Sequence, residues 1–516
     1  MSWQPEVDEI DRRRALAREM GGAEAIAKIH AKGRLSARER IDALLDPDSF
    51  REIGALTGAA RYDENGNLLD ITPANALIGT GNIEGRKVVI SADDFSIRGG
   101  SSEATISEKW IYAEKLALEH KLPLIRLVDT AGGSVKLLDK DQATKLPGYP
   151  SWPHARMMGE IPMVGVALGA CAGLGAIKVC GGHFSVMVKE QAQVFAAGPF
   201  VVKQGLGLDV DKEELGGSSM HARGSGLVDN EAVDEADALA QARRFLSYLP
   251  SSAHDLAPVL PCHDPADRRD PWLIEAIPRE ARRVYDPRKI IRAIVDSDSF
   301  FEIGRYSGRS SITGFARIMG HTVGILANDP AHGGGAMTVK SSIKIESFVD
   351  LCDTFHIPVV SLFDQPGIMI GPDAEAQGTI RFAMRAIAAI EQSRVPWCTI
   401  VLRRAFGVAG AAHGRQSGIN LRYAWPSATW GSIPVEGGVL AAYKREIEQS
   451  PDPIATRTAI EDKYSTLTSP FRTAERFGIL DIIDPRDTRP LLADWIGDAV
   501  RQLPALLGVA THPMRR

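Results

Sequence analysis

The sequence lacks several features that would place it in a functional class at once. Its 516 residues include only five cysteines, which are widely spaced and form no Cys-x-x-Cys pair or Cys/His cluster. This pattern is typical of buried thiols in a reducing compartment, and it argues against a disulfide framework and against a zinc ribbon. The N-terminal residues are charged and contain no apolar core of a secretory signal, so we expect a cytoplasmic protein.

A strong charge of one sign and a membrane-length apolar run are also missing. The net charge of −5 gives no basic surface for a polyphosphate, so we expect no nucleic-acid partner. The uncharged run 161–177 is shorter than the ~20 apolar residues that a bilayer span requires. We therefore expect no membrane helix and interpret this run as a buried strand that enters a glycine turn.

Familiar catalytic motifs are absent as well. The chain contains no GxxxxGK[ST], GxGxxG, GxSxG or HExxH sequence. ATP hydrolysis, dinucleotide binding, a nucleophile elbow and a zinc protease therefore have no support, and we expect no metal in this chain. The remaining mechanism is stabilisation of negative charge by backbone N–H donors, as in enolate chemistry on a thioester.

What the sequence does contain is an internal repeat. Residues 37–54 and 287–304 share ten identities in eighteen positions at an offset of 250 residues. A period of this length exceeds the repeat of about 20–50 residues found in solenoids. The parallel continues in two further pairs of segments, 82–100 with 316–334 and 118–133 with 352–367. The chain is therefore predicted to consist of two homologous domains, residues 1–260 and 270–516.

Helix and strand patterns alternate within each half. Ser36 and Glu39 have the spacing of a capping box, which predicts a helix that begins at Ala37. Unbroken apolar runs are typical of parallel strands that helices cover on both faces. Such runs, each followed by a helical segment, occupy 122–129, 161–168, 357–364 and 397–402. Each half is therefore predicted to be an α/β domain.

Glycine and other small residues cluster where two of these strands are predicted to end, in the turns 169–175 and 403–414. Parallel α/β sheets bind ligands at the carboxyl ends of their strands, and small residues let backbone N–H groups converge on an oxygen that gains negative charge. Tight packing of a helix on the sheet would explain one such turn equally well. Two turns at equivalent positions of the repeat favour a duplicated binding site.

An ordered set of motifs carries a family resemblance. They are GRLSARERIDALLDPDSF (33–50), ACAGLGA (170–176), FDQPGI (363–368), AFGVAGA (405–411), YAWP (423–426) and PFRTAERFGILDIIDP (470–485). In this order they resemble the carboxyltransferase β subunit of biotin-dependent acyl-CoA carboxylases, of the propionyl-CoA carboxylase β type, over nearly the whole chain. The resemblance implies two tandem crotonase-like (ClpP/crotonase) domains, a homohexamer, and a separate α-subunit partner that supplies biotin carboxylase and the biotin carboxyl carrier.

The resemblance also implies a reaction, in which a carboxyl group moves from carboxybiotin to the α- or γ-carbon of an acyl-CoA. In the family, carboxybiotin releases CO2, the biotin enolate removes the α-proton, and the acyl enolate attacks CO2. The N-terminal domain would hold the acyl-CoA and the C-terminal domain the carboxybiotin, each in a backbone oxyanion hole. One hole donor typically contributes ~3 kcal/mol of transition-state stabilisation.

The resemblance also assigns site residues, by their position within the matching motifs. The hole of the N-terminal domain falls on Gly173 and Leu174, and that of the C-terminal domain on Val408 and Ala409; these four are the predicted catalytic residues. The predicted substrate-binding residues lie in neighbouring glycine-rich segments, namely Gly99, Gly100, Gly132, Gly133, Gly407, Gly410 and Ala411.

The chain departs from the family at these same positions. Leu174 and Val408 stand where the family has glycine, and a β-branched valine resists a positive φ, so the hole is kept only if φ stays negative there. Gly410 and Ala411 fall in the segment where short-chain members carry a Tyr-Asp pair that shapes the acyl pocket. We therefore expect an acyl group bulkier than propionyl.

Two alternatives remain open at this point. The first is an acyl-CoA decarboxylase of the same fold, and the second is a non-catalytic CoA-binding or scaffold subunit whose holes are closed. His221 and His413 lie in glycine-rich segments, but a lone histidine is more often a structural hydrogen-bonding group than a catalytic one.

Overall fold

The computed structural model describes residues 2–144, 146, 148–280, 282–414, 419 and 421–515. They form two compact units, of which unit 1 ends at Asp255 and unit 2 begins at Leu256. Each unit is built on one eight-stranded sheet, and unit 1 carries an additional two-stranded hairpin.

The elements of unit 1 alternate as its sequence predicts. Its strands are β1 (Arg51–Ile53), β2 (Gly58–Tyr62), β3 (Leu68–Pro73), β4 (Ala76–Ile83), β5 (Arg86–Asp93), β6 (Leu124–Thr130), β7 (Met163–Ala172), β8 (Phe184–Val188), β9 (Gln193–Phe195) and β10 (Asn230–Ala232). Its α-helices are α1 (Gln4–Arg18), α2 (Ala23–His30), α3 (Ala37–Leu44), α4 (Ser107–Glu119), α5 (Leu137–Asp141), α6 (His154–Met157), α7 (Leu174–Cys180), α8 (Pro199–Leu206), α9 (Lys212–Gly216) and α10 (Glu235–Ser247). A 3₁₀ turn spans Arg98–Gly100, and a π-helix spans Ser219–Ser225.

Unit 2 repeats this order without the hairpin. Its strands are β11 (Phe301–Ile303), β12 (Ser311–Ile318), β13 (His321–Asn328), β14 (Val359–Gln365), β15 (Trp397–Phe406), β16 (Leu421–Ala424), β17 (Thr429–Gly431) and β18 (Asp481–Ile482). Its α-helices are α11 (Pro287–Ile294), α12 (Val339–Thr354), α13 (Pro372–Ala376), α14 (Thr379–Gln392), α15 (Val435–Ala442), α16 (Lys444–Gln449), α17 (Pro453–Leu467), α18 (Pro470–Ala474) and α19 (Thr488–Gln502). Its 3₁₀ helices span Pro271–Glu275, Gly333–Gly335, Val408–His413, Pro485–Asp487 and Leu503–Leu506.

The two large sheets have the same strand order. In unit 1 the order is β1-β4-β5-β6-β7-β8-β10 with β9 on β7, and in unit 2 it is β11-β12-β13-β14-β15-β16-β18 with β17 on β15. The first two pairings of each sheet are antiparallel, and the remaining pairings are parallel. The four predicted apolar strands are confirmed as β6, β7, β14 and β15, the central parallel strands of the sheets.

The offset between the two units changes along the chain. Strand β11 follows β1 by 250 residues, but β12 follows β4 by only 235. The hairpin of β2 and β3 accounts for the difference, because β12 comes directly after β11 in unit 2. The match of 82–100 with 316–334 is therefore wrong by one residue, since Gly99 and Gly334 occupy the same non-helical point of equivalent 3₁₀ turns.

Local capping and burial fix the helices that precede the sheets. The capping box is confirmed: the Ser36 hydroxyl accepts the Glu39 N–H, and the Glu39 carboxylate accepts the Ser36 N–H at 2.7 Å. Asp286 caps α11 at the equivalent place in unit 2. Such a cap contributes about 1 kcal/mol. Helix α11 then buries Ile290, Ile291 and Ile294 in the core of its unit.

The cysteine and membrane predictions can also be compared with the described chain. Its five cysteines are free thiols, and Cys171, Cys352 and Cys398 are buried, whereas Cys180 and Cys262 are half-buried. Burial raises the pKa of Cys398 to about 12, so this thiol stays protonated. Among the described residues, no helix combines the length and apolar content that a membrane crossing requires.

Candidate active site

The glycine turn of unit 1 is much shorter than the sequence predicts. Strand β7 continues through Ala172 and α7 begins at Leu174, so Gly173 alone makes the turn, with φ 57° and ψ −114°. The predicted turn over 169–175 is therefore wrong for its first four residues. Gly169 has a packing role instead, because a Cβ there would lie 2.2 Å from an Asp129 carboxylate oxygen.

Unit 2 contains the same one-residue turn. Strand β15 continues to Phe406, Gly407 turns the chain with φ 67°, and a 3₁₀ helix follows from Val408. The N–H of Gly173 donates to Phe195 O at 3.1 Å, and the N–H of Gly407 donates to Gly431 O at 3.0 Å. Gly173 and Gly407 are therefore equivalent, and neither N–H is available to a ligand.

The helices that follow these turns, α7 and Val408–His413, are named the hole helices here. Leu174 and Val408 are their first residues, where backbone N–H groups have no partner within the helix. Within the described ranges, neither N–H donates to another group. The two residue pairs predicted for the oxyanion holes therefore do not occupy equivalent positions. Gly173 and Leu174 correspond to Gly407 and Val408, one residue before the predicted pair Val408 and Ala409.

The substitutions at the predicted holes are compatible with this geometry. Neither Leu174 nor Val408 has a positive φ, since the glycine before each residue makes the turn. The condition set for the β-branched valine is therefore met, and its side chain is 66% exposed. Ala409, the next residue of the hole helix, is fully buried.

The structure brings most of the predicted glycines of unit 1 to one edge of the sheet. Gly99 O accepts the N–H of Ala131 at 2.9 Å. A Cβ on Gly100 would lie 2.6 Å from Asp129 O, and one on Gly132 would lie 3.0 Å from Ala172 O. Both approaches to the backbone exclude a side chain. Gly99, Gly100 and Gly132 therefore lie beside the end of β7 and the turn at Gly173.

The other predicted residues lie at the same sheet edges but have fewer close neighbours. A Cβ on Gly133 would meet nothing within 4 Å, and one on Gly410 would meet only the Phe363 ring, at 3.9 Å. Ala411 belongs to the hole helix of unit 2, but its side chain lies outside the described residues.

Three glycines of unit 2 were missed by sequence reasoning. Gly334 and Gly335 correspond to Gly99 and Gly100, and a Cβ on Gly335 would lie 2.7 Å from Asp364 O. Gly367 corresponds to Gly132: its carbonyl oxygen accepts the Met337 N–H at 3.0 Å. The signal was present in the repeat, since the predicted match already pairs Gly100 with Gly334 and Gly133 with Gly367, but the site was not carried over to these residues of unit 2.

Each sheet has a buried aspartate near the end of a central parallel strand, Asp129 in β6 and Asp364 in β14. In unit 1, Asp129 is 1% exposed and accepts hydrogen bonds from Arg34 and Arg40. Arg40 also binds Glu235 through two bonds of 2.8 Å, and these carboxylates raise the pKa of its guanidinium despite burial. The cluster therefore neutralises its own charges and fixes the strand end rather than offering a free acid or base.

Unit 2 supports its edge with different residues. Asp364 corresponds to Asp129, and its carboxylate accepts bonds from Tyr285 at 3.0 Å, Arg403 at 3.1 Å and Arg404 at 2.7 Å. Arg404 also donates to Gly334 O at 2.7 Å. This arginine therefore ties the glycine turn of β13 to the end of β14.

Unit 2 also contains a cavity beside the end of β15 and a separate group of possible metal ligands. A cavity of about 850 Å³ is lined by Arg404, Phe406 and Trp425 among others, but Val408 is not in its wall. Cys262, Asp264 and Asp296 place three possible ligand atoms within 4.8 Å of one another. Arg268 pairs with Asp264 and Arg489 with Asp296, so these carboxylates already have cationic partners.

The two histidines have hydrogen-bonding roles. His221 is half-buried and its Nδ1 lies 3.1 Å from the Ser225 hydroxyl. His413 is 1% exposed, and its ring stacks on Phe363 with centroids 3.7 Å apart. Burial, and next the charge of Arg422, lowers the pKa of His413 to about 3. A neutral, enclosed imidazole of this kind cannot serve as a solvent-linked base near neutral pH.

Comparison with known proteins agrees with this arrangement. The family model described as carboxyl transferase domain matches residues 28–494. The propionyl-CoA carboxylase carboxyltransferase subunit of Haloferax mediterranei is 32% identical over 500 residues, which covers 96% of each chain.

Solved structures resemble the fold over almost its whole length. The crystal structure of transcarboxylase 12S, a hexamer assembly with methylmalonyl-coenzyme A bound, has a TM-score of 0.87 and 30% identity, and the match covers 97% of this chain and 96% of that one. A single-chain, multi-domain long-chain acyl-CoA carboxylase has a TM-score of 0.78 and 27% identity over 96% of this chain and 50% of its own.

These matches confirm the predicted α/β class with crotonase-like domains, and they confirm the enzyme class. The N–H groups of Leu174 and Val408, which have no partner among the described residues, are backbone donors of the kind that can stabilise an oxyanion. The chain belongs to the carboxyl transferase domain family.

Proposed function

We propose that this chain is the carboxyltransferase subunit of a biotin-dependent acyl-CoA carboxylase. Unit 1 holds the acyl-CoA and unit 2 the carboxybiotin, each at the first turn of its hole helix. The observation that carries the proposal is the N–H groups of Leu174 and Val408, which have no partner among the described residues and each follow a glycine with a positive φ. A family that stabilises two oxyanions in one reaction requires two such sites.

In unit 1, the N–H of Leu174 donates to the thioester oxygen as the acyl group becomes an enolate. A donor aimed at an oxygen that gains charge stabilises the transition state by ~3 kcal/mol. Gly173 supplies the turn rather than a donor, because its own N–H is bonded to Phe195 O. Gly132 and Gly100 keep side chains away from the strand ends where the thioester approaches.

In unit 2, the N–H of Val408 would hold the ureido oxygen of biotin. This residue fits the group, because its N–H has no partner among the described residues, its side chain is exposed, and Gly410 leaves open space beside it. Carboxybiotin, when bound, supplies both the CO2 and the base for the α-proton. The protein therefore needs no side-chain base, which agrees with the enclosed, neutral His413.

The acyl group is bulkier than propionyl. Gly410 belongs to unit 2, but it falls in the segment where short-chain members of the family carry the Tyr-Asp pair that shapes the acyl pocket, and the direction of its missing Cβ is open except for Phe363 at 3.9 Å. The resemblance to a long-chain acyl-CoA carboxylase supports a larger pocket.

The assembly follows from the same family relationship. We propose a homohexamer, by analogy with the hexameric transcarboxylase 12S, in the cytoplasm. Biotin arrives on a separate carrier, charged by a biotin carboxylase subunit.

Reconstitution tests this proposal. The chain is mixed with a biotin carboxylase, its biotinylated carrier, ATP and labelled bicarbonate, and acid-stable label is measured with acetyl-, propionyl-, isovaleryl- and octanoyl-CoA. We expect incorporation to be greatest with the longer or branched thioesters. Equal rates on acetyl- and propionyl-CoA, with none on longer thioesters, would refute the acyl-size proposal.

A further inference from the structure

Each hole helix packs on residues that lie on one face of a neighbouring strand. Residues at i and i+2 of a strand share a face, so Arg126, Val128 and Thr130 lie on one face of β6. A Cβ on Gly175 of α7 would lie 2.5 Å from a Thr130 methyl and 3.5 Å from a Val128 methyl. This face of β6 therefore supports α7, and Arg126 lies beneath the end of the helix remote from Leu174.

Arg126 binds the C-terminal end of α7. Its Nη1 donates to Lys178 O and to Gly181 O, each at 3.3 Å. These carbonyls belong to the last turn of the helix and to its cap, where four C=O groups lack helical partners. Arg126 is 2% exposed and its Nε donates to Glu114, also buried, at 2.9 Å. The charge is therefore paired, and the guanidinium is fixed in orientation.

Unit 2 has a counterpart at the same strand position. Arg126 pairs with Gly165 on β7, and Ser361 pairs with Thr399 at the equivalent point of β14 and β15. The Ser361 hydroxyl lies 2.9 Å from Nδ1 of His413, the last residue of the second hole helix. The Thr399 hydroxyl donates to the carbonyl oxygen of the same histidine.

The same contact occurs in both units, which ordinary packing would not require. Unit 1 uses the guanidinium of Arg126, and unit 2 uses the hydroxyl of Ser361 with the imidazole of His413. Both contacts fix the last turn of the hole helix, and both start from the same position in the sheet. A short helix whose far end is fixed also has a fixed first turn, because its backbone hydrogen bonds connect the two ends. The arrangement therefore restrains the direction of the N–H groups of Leu174 and Val408.

We propose that Arg126 is a positioning residue for the acyl oxyanion hole of unit 1, and that Ser361 with His413 has the same role for the hole of unit 2. The proposal rests on the proposed function, because it assigns these residues to the two holes. Arg126 acts through α7 and touches no reacting atom. A displacement of about 1 Å in a catalytic group costs about 100-fold in rate, so we expect kcat to fall by about that factor when Arg126 is lost.

The test uses the carbonyl stretch of bound [1-13C]propionyl-CoA, measured by isotope-edited infrared difference spectroscopy in the absence of carboxybiotin. Hydrogen bonds from the hole lower the stretching frequency of the thioester carbonyl. The variant Arg126→Met should return the frequency toward that of free propionyl-CoA while the Kd for CoA stays within threefold. Ser361→Ala should leave the frequency at the wild-type value, since it acts in the other unit.

Two further variants keep the test decisive. Arg126→Met leaves a buried Glu114 without its cation, which can prevent folding. The double variant Arg126→Met, Glu114→Gln removes both charges, and it should show the same return of frequency. Arg126→Lys keeps the charge but replaces two separate donor nitrogens, Nε for Glu114 and Nη1 for the two carbonyls, with a single ammonium group, so it should give an intermediate frequency.

The outcomes separate the two proposals. A wild-type frequency that differs from that of free propionyl-CoA, together with an unchanged frequency in both methionine variants, would overturn the role of Arg126 and leave the hole intact. A wild-type frequency equal to that of free propionyl-CoA would refute the acyl hole itself, and the positioning role with it.

Discussion

Arg126 and Ser361 occupy the same position in two duplicated sheets, and each binds the far end of the helix whose first residue presents an unpartnered N–H. The chemistry of the two contacts differs, but the element they hold is the same. This relationship indicates that the direction of the hole helices has been kept while their sequences diverged.

The first prediction concerns the donor in unit 1. Proline is tolerated at the first position of a helix but has no N–H, so Leu174→Pro removes the proposed donor and leaves α7 in place. We expect kcat for carboxyl transfer to fall by about 10²- to 10³-fold. Leu174→Ala is the matched control: it shortens the side chain, keeps the N–H and should stay within threefold of wild type. Equal losses in both variants would contradict a backbone donor.

The second prediction applies the same substitution to unit 2. Val408 is the first residue of its hole helix, and its side chain is largely exposed, so Val408→Pro removes an N–H without disturbing the core. We expect a similar fall in kcat with little change in the KM for acyl-CoA, because the lost donor is the one proposed to bind biotin. Val408→Ala should be nearly silent. A raised KM for acyl-CoA with an unchanged kcat would place Val408 on the acyl side instead.

The third prediction concerns the turn at Gly173. A Cβ there has room, since the nearest atom is Ala196 O at 3.7 Å, so the cost of Gly173→Ala is torsional rather than steric. Its φ of 57° with ψ of −114° is a conformation that L-residues adopt at a cost of about 1–3 kcal/mol. We expect a lower melting temperature and a large loss of kcat. Gly133→Ala, whose Cβ would meet nothing within 4 Å, should leave the melting temperature unchanged.

The fourth prediction concerns the size of the acyl pocket. Gly410→Tyr places a ring in the open direction beside Phe363. We expect kcat/KM for octanoyl-CoA to fall at least tenfold relative to that for propionyl-CoA, which corresponds to about 1.4 kcal/mol of discrimination. Parallel loss on both thioesters would show that this position does not select the acyl chain.

The fifth prediction concerns pH. The pKa of His413 is about 3 in the folded chain and near 6.5 when unfolded, so the unfolded state binds more protons between these values. The contribution of His413 to stability is therefore complete above pH 6.5 and is lost as the pH falls, by up to about 1.4 kcal/mol per pH unit. His413→Asn, which keeps a polar group near Ser361 without titrating in this range, should show a shallower loss of unfolding free energy between pH 7 and 5. Identical slopes would contradict a buried, neutral His413.

Much of the fold could be predicted from local patterns. The capping box at Ser36 and the four apolar strands are short-range signals, and the structure places them as expected. The length of β7 could not be predicted, because its glycine- and alanine-rich end is extended through pairing with β9, more than twenty residues later, and with Thr130 of β6. Small residues typical of a turn therefore formed a strand.

The site was predictable in kind but not in its details. The repeat located both hole helices, but the glycines predicted in unit 1 were not carried over to Gly334, Gly335 and Gly367, and an occupied N–H removed Gly173 from the donors. Arg126 carried no signal beyond a single charge within an apolar strand. Its meaning depends on Glu114 and on the carbonyls of α7, which only the folded chain brings together.

Transfer of label from 14C-carboxybiotin to an acyl-CoA by this chain alone, without its partners, is the measurement that distinguishes a carboxyltransferase from the alternatives. A carboxyltransferase with two backbone oxyanion holes should give acid-stable label in the thioester product, and that transfer should be lost in both Leu174→Pro and Val408→Pro. Release of CO2 from a malonyl-type thioester without biotin would instead indicate a decarboxylase. Binding of thioester with neither reaction would indicate a scaffold, and either result would contradict the carboxyltransferase function proposed above.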